Sequence, residues 1–240
     1  MINIEILGKF YDNHSLSIIN RHLAENFNKC KDFNIFLTPL DSPNPNCNVD
    51  VNTLKLIKKL ANKEEETIDI QLRHSYPPIW NWPMNKNTKI VYIQPWEYTK
   101  VLFEWQYKFE TFADMLLVPS NYERDVFITG GMNPEKIVTV PNGYDDNIYN
   151  HKKVKPFDDR IDPSKYNFVF IGNGQWRKGI DILLNAWKDA IKRYDNCALI
   201  VKDNPQIYGV NNLLNEIIKL EYKTQCGDII YIDEQLSDLE

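Results

Sequence analysis

Strand-like and helix-like runs alternate along almost the whole of this 240-residue chain, and that alternation restricts the fold more than any other feature. Short apolar runs bounded by turn residues read as buried strands, and apolar residues three and four apart read as amphipathic helices. Strands are predicted over residues 2–7, 34–37, 67–72, 89–93, 115–118 and 137–140. Helices are predicted over 16–27, 54–60, 100–112 and 120–128. The first helix carries Ile18, Ile19, Leu23 and Phe27, and the last opens with Ser120 and Glu123 at capping-box spacing. Residues 151–165, polar and interrupted by Pro156 and Pro163, read as a linker. The alternation then restarts with strands over 168–171, 198–201 and 229–232 and helices over 180–194 and 211–220. Such a pattern specifies parallel sheets flanked by helices. The expected fold class is α/β, with one Rossmann-like unit over 1–155 and a second over 156–240. The second supplies only half of the roughly five or six strands of a doubly wound sheet. Residues 233–240 read as the start of a further helix, so this unit is expected to be truncated.

Composition excludes several classes. A net charge of −5 argues against a general affinity for nucleic acid. No run reaches the roughly 20 apolar residues of a spanning helix, and the acidic N-terminus reads as a strand rather than a leader. Lys55, Lys58 and Lys59, and Lys152, Lys153 and Lys155, read as solvated faces before they read as a membrane-surface patch. Cys30, Cys47, Cys197 and Cys226 are widely spread and form no C-x-x-C pair. They read as reduced thiols of a cytoplasmic protein, with attachment to a membrane surface left open. No cluster of His, Cys, Asp and Glu has metal-ligand spacing, so neither metal nor cofactor is expected.

Ligands of open α/β sheets sit beyond the carboxyl ends of the strands. The segment from Phe168 to Leu184 reads as a buried strand, a turn with Gly172 and Gly174, the cations Arg177 and Lys178, then a helix. Outward-pointing amides and cations in such a corner suit a phosphate. Ordinary solvated cations are the competing reading. Gly8, at the end of the first strand, either approaches a phosphate or simply ends the strand. His14 either caps a helix or meets a ligand. Arg73 and His74 fall in a loop stiffened by Pro77 and Pro78, as an acceptor site or as plain structure. Trp96 is either core packing or a stacking surface. Glu97 is the harder residue to dismiss, because a carboxylate at a strand end is costly to bury unpaired. His22 and His151 read as surface residues. Asn142 and Gly143 form a turn, since both tolerate positive φ. No G-x-G-x-x-G follows the first strand, which disfavours a dehydrogenase.

The run Val118-Pro-Ser120, Gly130, Lys136 through Pro141-Asn-Gly143-Tyr-Asp145 and Tyr149 resembles the domain-junction signature of retaining glycosyltransferases of family four. The run Ile171-Gly172 with Lys178-Gly179-Ile-Asp181 through Ala186 is similar to the same family's donor-phosphate motif. Arg73-His74-Ser-Tyr-Pro-Pro78 and Gln94-Pro-Trp-Glu97 resemble a bacterial subgroup of it. The resemblance implies the two-Rossmann-domain GT-B fold, with the acceptor on the N-terminal domain, a nucleotide-sugar on the C-terminal domain and chemistry in the cleft. It implies transfer of a hexose to a hydroxyl of a glycan, lipid or protein, with retention and without a bound metal. Gly8, Gly172, Gly174, Arg177 and Lys178 would bind the donor, with Lys178 neutralising the leaving diphosphate. Glu97 would lie near the place where the family often has a histidine facing the reacting sugar, with His74 as a second catalytic residue. His14, Arg73 and Trp96 would meet the acceptor, and Asn142 and Gly143 would form the hinge. Two features depart from the family. Asn173 stands where Arg commonly follows the motif glycine, and the paired-glutamate motif lies downstream of residue 240. The chain alone is therefore expected to be inactive. The alternative is a non-catalytic sugar-binding module, or a partner subunit completed by a second chain.

Overall fold

The computed structural model describes residues 1–44, 49–63, 67–147, 149, 152, 158–205, 213–224, 226–234 and 236. Cys47, Lys153, Lys155, His151, Pro156, the first two residues of the helix predicted from 211, and residues 237–240 lie outside them. The chain divides into two units, 1–144 and 145–240; the expected boundary at 155/156 also lies outside the described residues.

Unit 1 runs β1 (Ile2–Gly8), α1 (Ser15–Lys29), β2 (Phe33–Pro39), α2 (Val51–Ala61), β3 (Ile70–His74), β4 (Lys89–Ile93), α3 (Phe103–Phe112), β5 (Met115–Val118), α4 (Asn121–Thr129) and β6 (Ile137–Thr139). The strands form one six-stranded sheet in the order β2-β1-β3-β4-β5-β6, parallel throughout. The chain leaves β1 toward β2 and returns to place β3 on the other side of β1. The β1/β3 boundary is therefore the topological switch point, where ligand crevices of such sheets open. Gly8 and His74 are paired there in the ladder.

Local chemistry sets these elements. Ser120 Oγ accepts from Glu123 N and the Glu123 carboxylate accepts from Ser120 N, so the capping box is present at the start of α4. The same Glu123, only 8% exposed, also accepts from Trp96 N at 3.0 Å. This cap therefore ties α4 to the chain after β4. The helix expected from residue 100 begins at Phe103, because Trp96 Nε1 holds the Lys100 carbonyl outside it at 3.1 Å. On α1 the buried stripe is Ser17, Asn20, Arg21 and Ala24, at helical spacing. The apolar residues Ile18, Ile19, Leu23 and Phe27 are only half-buried. A polar inward stripe is tolerated because its members are hydrogen-bonded.

Unit 2 runs β7 (Tyr166–Ile171), α5 (Ile180–Ala190), β8 (Cys197–Lys202), α6 (Leu213–Thr224) and β9 (Asp228–Ile232). Its strands form a parallel sheet in the order β7-β8-β9. Ile180, Leu184 and Trp187 of α5 pack with Leu199 and Val201 of β8 and Ile217 of α6. The helix expected to reach residue 194 ends at Ala190, where Ile191 O accepts from Gly227 N and Lys192 bridges Cys226. The buried strand expected over 168–171 is the edge strand β7 among the described residues. Phe168, Val169 and Ile171 are 43%, 61% and 79% exposed. Cys30, Cys197 and Cys226 are free thiols. Among the described residues no helix is long and apolar enough to cross a membrane.

Candidate functional site

In unit 1 three of the residues picked out by sequence, Gly8, Arg73 and His74, lie at the switch point. His74 is the last residue of β3 and Arg73 the one before it, so both belong to a strand rather than to the proline-stiffened loop expected. Pairing with Gly8 carries the ladder to this point. His74 is 1% exposed, and its Nδ1 lies 2.8 Å from Asn20 Oδ1. Asn20 Nδ2 donates to the carbonyls of Lys9, at 3.0 Å, and His74, at 3.2 Å. Asn20 Oδ1 is therefore an acceptor, His74 Nδ1 carries the hydrogen, and the lone pair sits on Nε2. That Nε2 is buried without a hydrogen-bond partner. Burial first, and His14 second, push the His74 imidazole down to about 4, so it is neutral at pH 7.

Gly8 has a packing role. A Cβ there would lie 2.4 Å from Asn20 Nδ2 and 2.5 Å from the His74 carbonyl, so no side chain fits. The loop after it spends much of its polarity internally. Asp41 accepts from the amides of Phe10 and Tyr11 at 2.9 and 2.8 Å, and Asp12 accepts from His14 N at 2.9 Å. Arg21 donates to the carbonyls of Phe10 and Asp12 at 2.9 and 2.7 Å. His14 is the N-cap of α1, its Nδ1 accepting from Leu16 N at 3.4 Å. Partial burial lowers its pKa, opposed by Asp12 and assisted by Lys9. Asn20, Arg21, Ser17 and Asp41 are absent from the residues picked out by sequence. The signal for the first two and Ser17 is the 17, 20, 21, 24 spacing on α1; Asp41, after β2, carries none.

Arg73 and Trp96, expected to meet an acceptor, are both buried. Arg73 is 1% exposed and donates to Gln71 Oε1, Ile79 O, Asn81 O and Tyr92 Oη at 2.6, 2.8, 2.9 and 3.0 Å. It fastens the loop after β3 to the sheet. Gln71 Nε2 donates in turn to Glu5 at 2.5 Å, which links the buried cation to a carboxylate. Trp96 is 7% exposed and packs among Trp105, Tyr98 and Phe127. Glu97 is exposed, so no burial cost singles it out. Asn142 and Gly143 form no turn; Gly143 lacks a positive φ and has open space around it.

In unit 2 the chain after β7 carries a single turn of 3₁₀ helix, Trp176–Lys178, before α5. Arg177 and Lys178 thus precede α5 rather than occupy its first turn, where Asp181 stands. The left-handed residue is Gly179, the α5 N-cap, at φ 72°. Gly172 extends the ladder, its N–H donating to Lys202 O at 3.0 Å. A Cβ on Gly172 would lie 3.8 Å from Lys178 Cγ, so the structure brings this glycine and this lysine together. Both cations are exposed, and the N-cap of α5 supplies no side-chain hydrogen bond. Gly174 is half-buried and the Asn173 side chain is buried. Beside this corner, Asp203 follows β8 fully buried, accepting from Tyr231 Oη at 2.8 Å and Asn204 N at 2.7 Å. Burial, then the hydrogen bond to Asp203, holds the Tyr231 phenol well above its ordinary value. Among the described residues no group of three or more His, Cys, Asp and Glu could hold a metal ion.

Residues 70–148 match the model of Glycosyltransferase Family 4. A search of curated proteins by sequence returned no match. Among solved structures, the chain resembles Anabaena HepE in complex with UDP and glucose. The TM-score is 0.65 at 14% identity, covering 99% of this chain and 70% of that one. It resembles a glycosyltransferase from Rickettsia africae, with TM-score 0.62 at 12% identity over 99% and 70%. It also resembles the N-terminal domain of Candida albicans trehalose-6-phosphate phosphatase, with TM-score 0.54 at 10% identity over 100% and 74%. At these identities the likeness is one of fold. Both units have the Rossmann-like α/β fold seen in GT-B glycosyltransferase structures, and the N-terminal domain of a protein named as a phosphatase shares the likeness, so fold alone does not choose the chemistry.

Proposed function

We propose that the chain acts in a glycosyltransferase that takes a hexose from a uridine diphosphate sugar and passes it to a hydroxyl acceptor, and that it has little transfer activity by itself. The observation that carries this reading is the family-four match over residues 70–148, on a chain folded like HepE, whose structure holds UDP and glucose. The corner after β7 supports it. The Lys178 stem lies beside Gly172, Arg177 is in the same turn, and the following helix start has no side-chain cap. Cations, amides and the helix dipole there would offset the charge that develops on a departing diphosphate. Transfer is proposed to retain the anomeric configuration and to need no bound metal, the cations supplying that charge. Glu97 is proposed to face the reacting sugar from the loop after β4. Calorimetric titration of the full chain with UDP tests the donor site. Lys178→Ala is expected to weaken binding about tenfold, the factor for roughly 1.4 kcal/mol. Unchanged affinity, or no heat from the native chain, refutes it.

A second reading is a non-catalytic sugar-binding or partner subunit. It is favoured by β7, which among the described residues has a neighbouring strand on one side only and three exposed apolar side chains. Open edges of this kind pair with other chains. Sedimentation of the chain alone and with a candidate partner separates the readings; a monomer that ignores the partner and binds UDP leaves the first.

A further inference from the structure

An aromatic row on unit 1 has no part in the chemistry above. Tyr76 follows β3, and Trp96 and Tyr98 follow β4, so all three stand beyond strand carboxyl ends. Trp105, in the first turn of α3, lies between them. Ring centroids are 5.6 Å apart for Tyr76 and Trp105, 5.3 Å for Trp105 and Trp96, and 5.6 Å for Trp96 and Tyr98. The middle of the row is anchored. Trp96 is buried, its indole N–H on the Lys100 carbonyl, and Trp105 is half-buried against it. The ends are open, with Tyr76 65% exposed and Tyr98 63% exposed. Core packing accounts for the two tryptophans and leaves the two tyrosines without a task.

We infer that Tyr76 and Tyr98, at the two ends of the row, each offer a stacking face to a sugar ring of a carbohydrate acceptor. This deepens the glycosyltransferase reading and rests on it. A pyranose has an apolar C–H face and a polar hydroxyl rim. A tyrosine held by its neighbours offers a flat apolar face and a hydroxyl at its end, with few rotors to freeze. The charges alongside are mixed: Glu97 and Glu104 are acidic, Lys100 and Lys108 are basic, and Lys108 pairs with Glu104. A surface of mixed sign lacks the cationic excess that an anionic bilayer selects. Phe103 and Tyr107 on α3 are also exposed, at 81% and 66%, and make no ring contact with the row. A bilayer would use them as readily as the tyrosines; a sugar on the tyrosines would not.

The test is saturation-transfer NMR on the full chain with lactose, cellobiose and chitobiose as probes. It compares wild type, the double variant Tyr76→Ala/Tyr98→Ala, the double variant Tyr76→Phe/Tyr98→Phe, and Phe103→Ala. At least one disaccharide is expected to take saturation through the C–H protons of one ring face. The alanine pair is expected to weaken that affinity about tenfold, corresponding to about 1.4 kcal/mol. The phenylalanine pair and Phe103→Ala are expected to keep most of it. Both tyrosines are exposed, and unchanged circular dichroism serves as the folding control. Silence with all three sugars, or an unchanged signal in the alanine pair, overturns the stacking role. So does co-sedimentation with phosphatidylcholine–phosphatidylglycerol vesicles that Phe103→Ala abolishes. A UDP titration on the same samples keeps the two readings apart. UDP bound with the sugars silent removes the stacking role alone. Sugars bound with UDP silent removes the donor site and leaves a carbohydrate-binding surface.

Discussion

Arg73 offers the sharpest test of the site's reassignment, because a structural clamp and an acceptor contact respond oppositely when it is removed. Its guanidinium is almost wholly buried and donates to four oxygens. Truncation to alanine deletes two buried methylenes, worth about 0.8 kcal/mol each. It also deletes hydrogen bonds from a charged donor, worth roughly 1.5–3 kcal/mol in net effect. Ile79 O keeps the Tyr92 hydroxyl at 2.7 Å, whereas Asn81 O loses this donor. The expected loss is about 3–5 kcal/mol, a large share of a typical domain's stability. Arg73→Met, which keeps most of the stem, should lose about 2 kcal/mol, the hydrogen-bond part alone. Urea unfolding followed by tryptophan emission reads this directly, since four of the six tryptophans (Trp80, Trp82, Trp96 and Trp105) lie in unit 1. With a slope near 2 kcal/mol per molar urea, the alanine variant's midpoint should fall by roughly 1.5–2.5 M. A midpoint that does not move, with saccharide binding lost, would show that Arg73 faces a ligand and that the clamp is wrong.

Gly8→Ala forces a methyl against Asn20 and the His74 carbonyl; it should cost about 1–3 kcal/mol by the same urea assay, and a neutral result would mean that space exists there. His74 sets an acid limit. Its folded pKa is about 4, below an ordinary 6.5, so the unfolded chain binds its proton first and stability falls as pH drops from 6.5 toward 4. The full contribution is about 3 kcal/mol. Its hydrogen-bond partner Asn20 does not titrate, so His74→Gln should flatten most of this slope, the lowered His14 supplying a smaller part of the same sign; an unchanged slope assigns it to other groups. Tyr231→Phe leaves Asp203 Oδ2 without its phenol donor deep in unit 2, and should lower the midpoint reported by Trp187 emission by an amount equivalent to about 1–3 kcal/mol.

The alternation of elements was legible because parallel strands buried on both faces read as apolar runs, and α4 because its cap is encoded within four residues, Ser120 to Glu123. What escaped was polar and long-range. Asn20 meets His74 across 54 positions of sequence, and nothing near Asn20 announces the partner. Arg73 resembled a loop residue because two prolines follow closely, while the pairing that keeps it in β3 comes from Leu7 of β1 and Tyr92 of β4. Exposure misled in the other direction. Glu97 was singled out for a burial it does not have, and β7 was taken as covered because its residues are apolar. Apolar character reports what a strand can bury; what lies against it is decided elsewhere in the chain.

Asn20 gives its amide nitrogen to two carbonyls and its oxygen to an imidazole N–H, so its two ends are not interchangeable. Exchanging that nitrogen for oxygen, as in aspartate or a deamidated side chain, would aim an anion at two carbonyl lone pairs and at the same time favour a charged imidazolium. A one-atom edit would thus turn a neutral knot joining three segments into a proton trap. Age-related damage at this position should therefore appear as a changed acid titration before any loss of secondary structure.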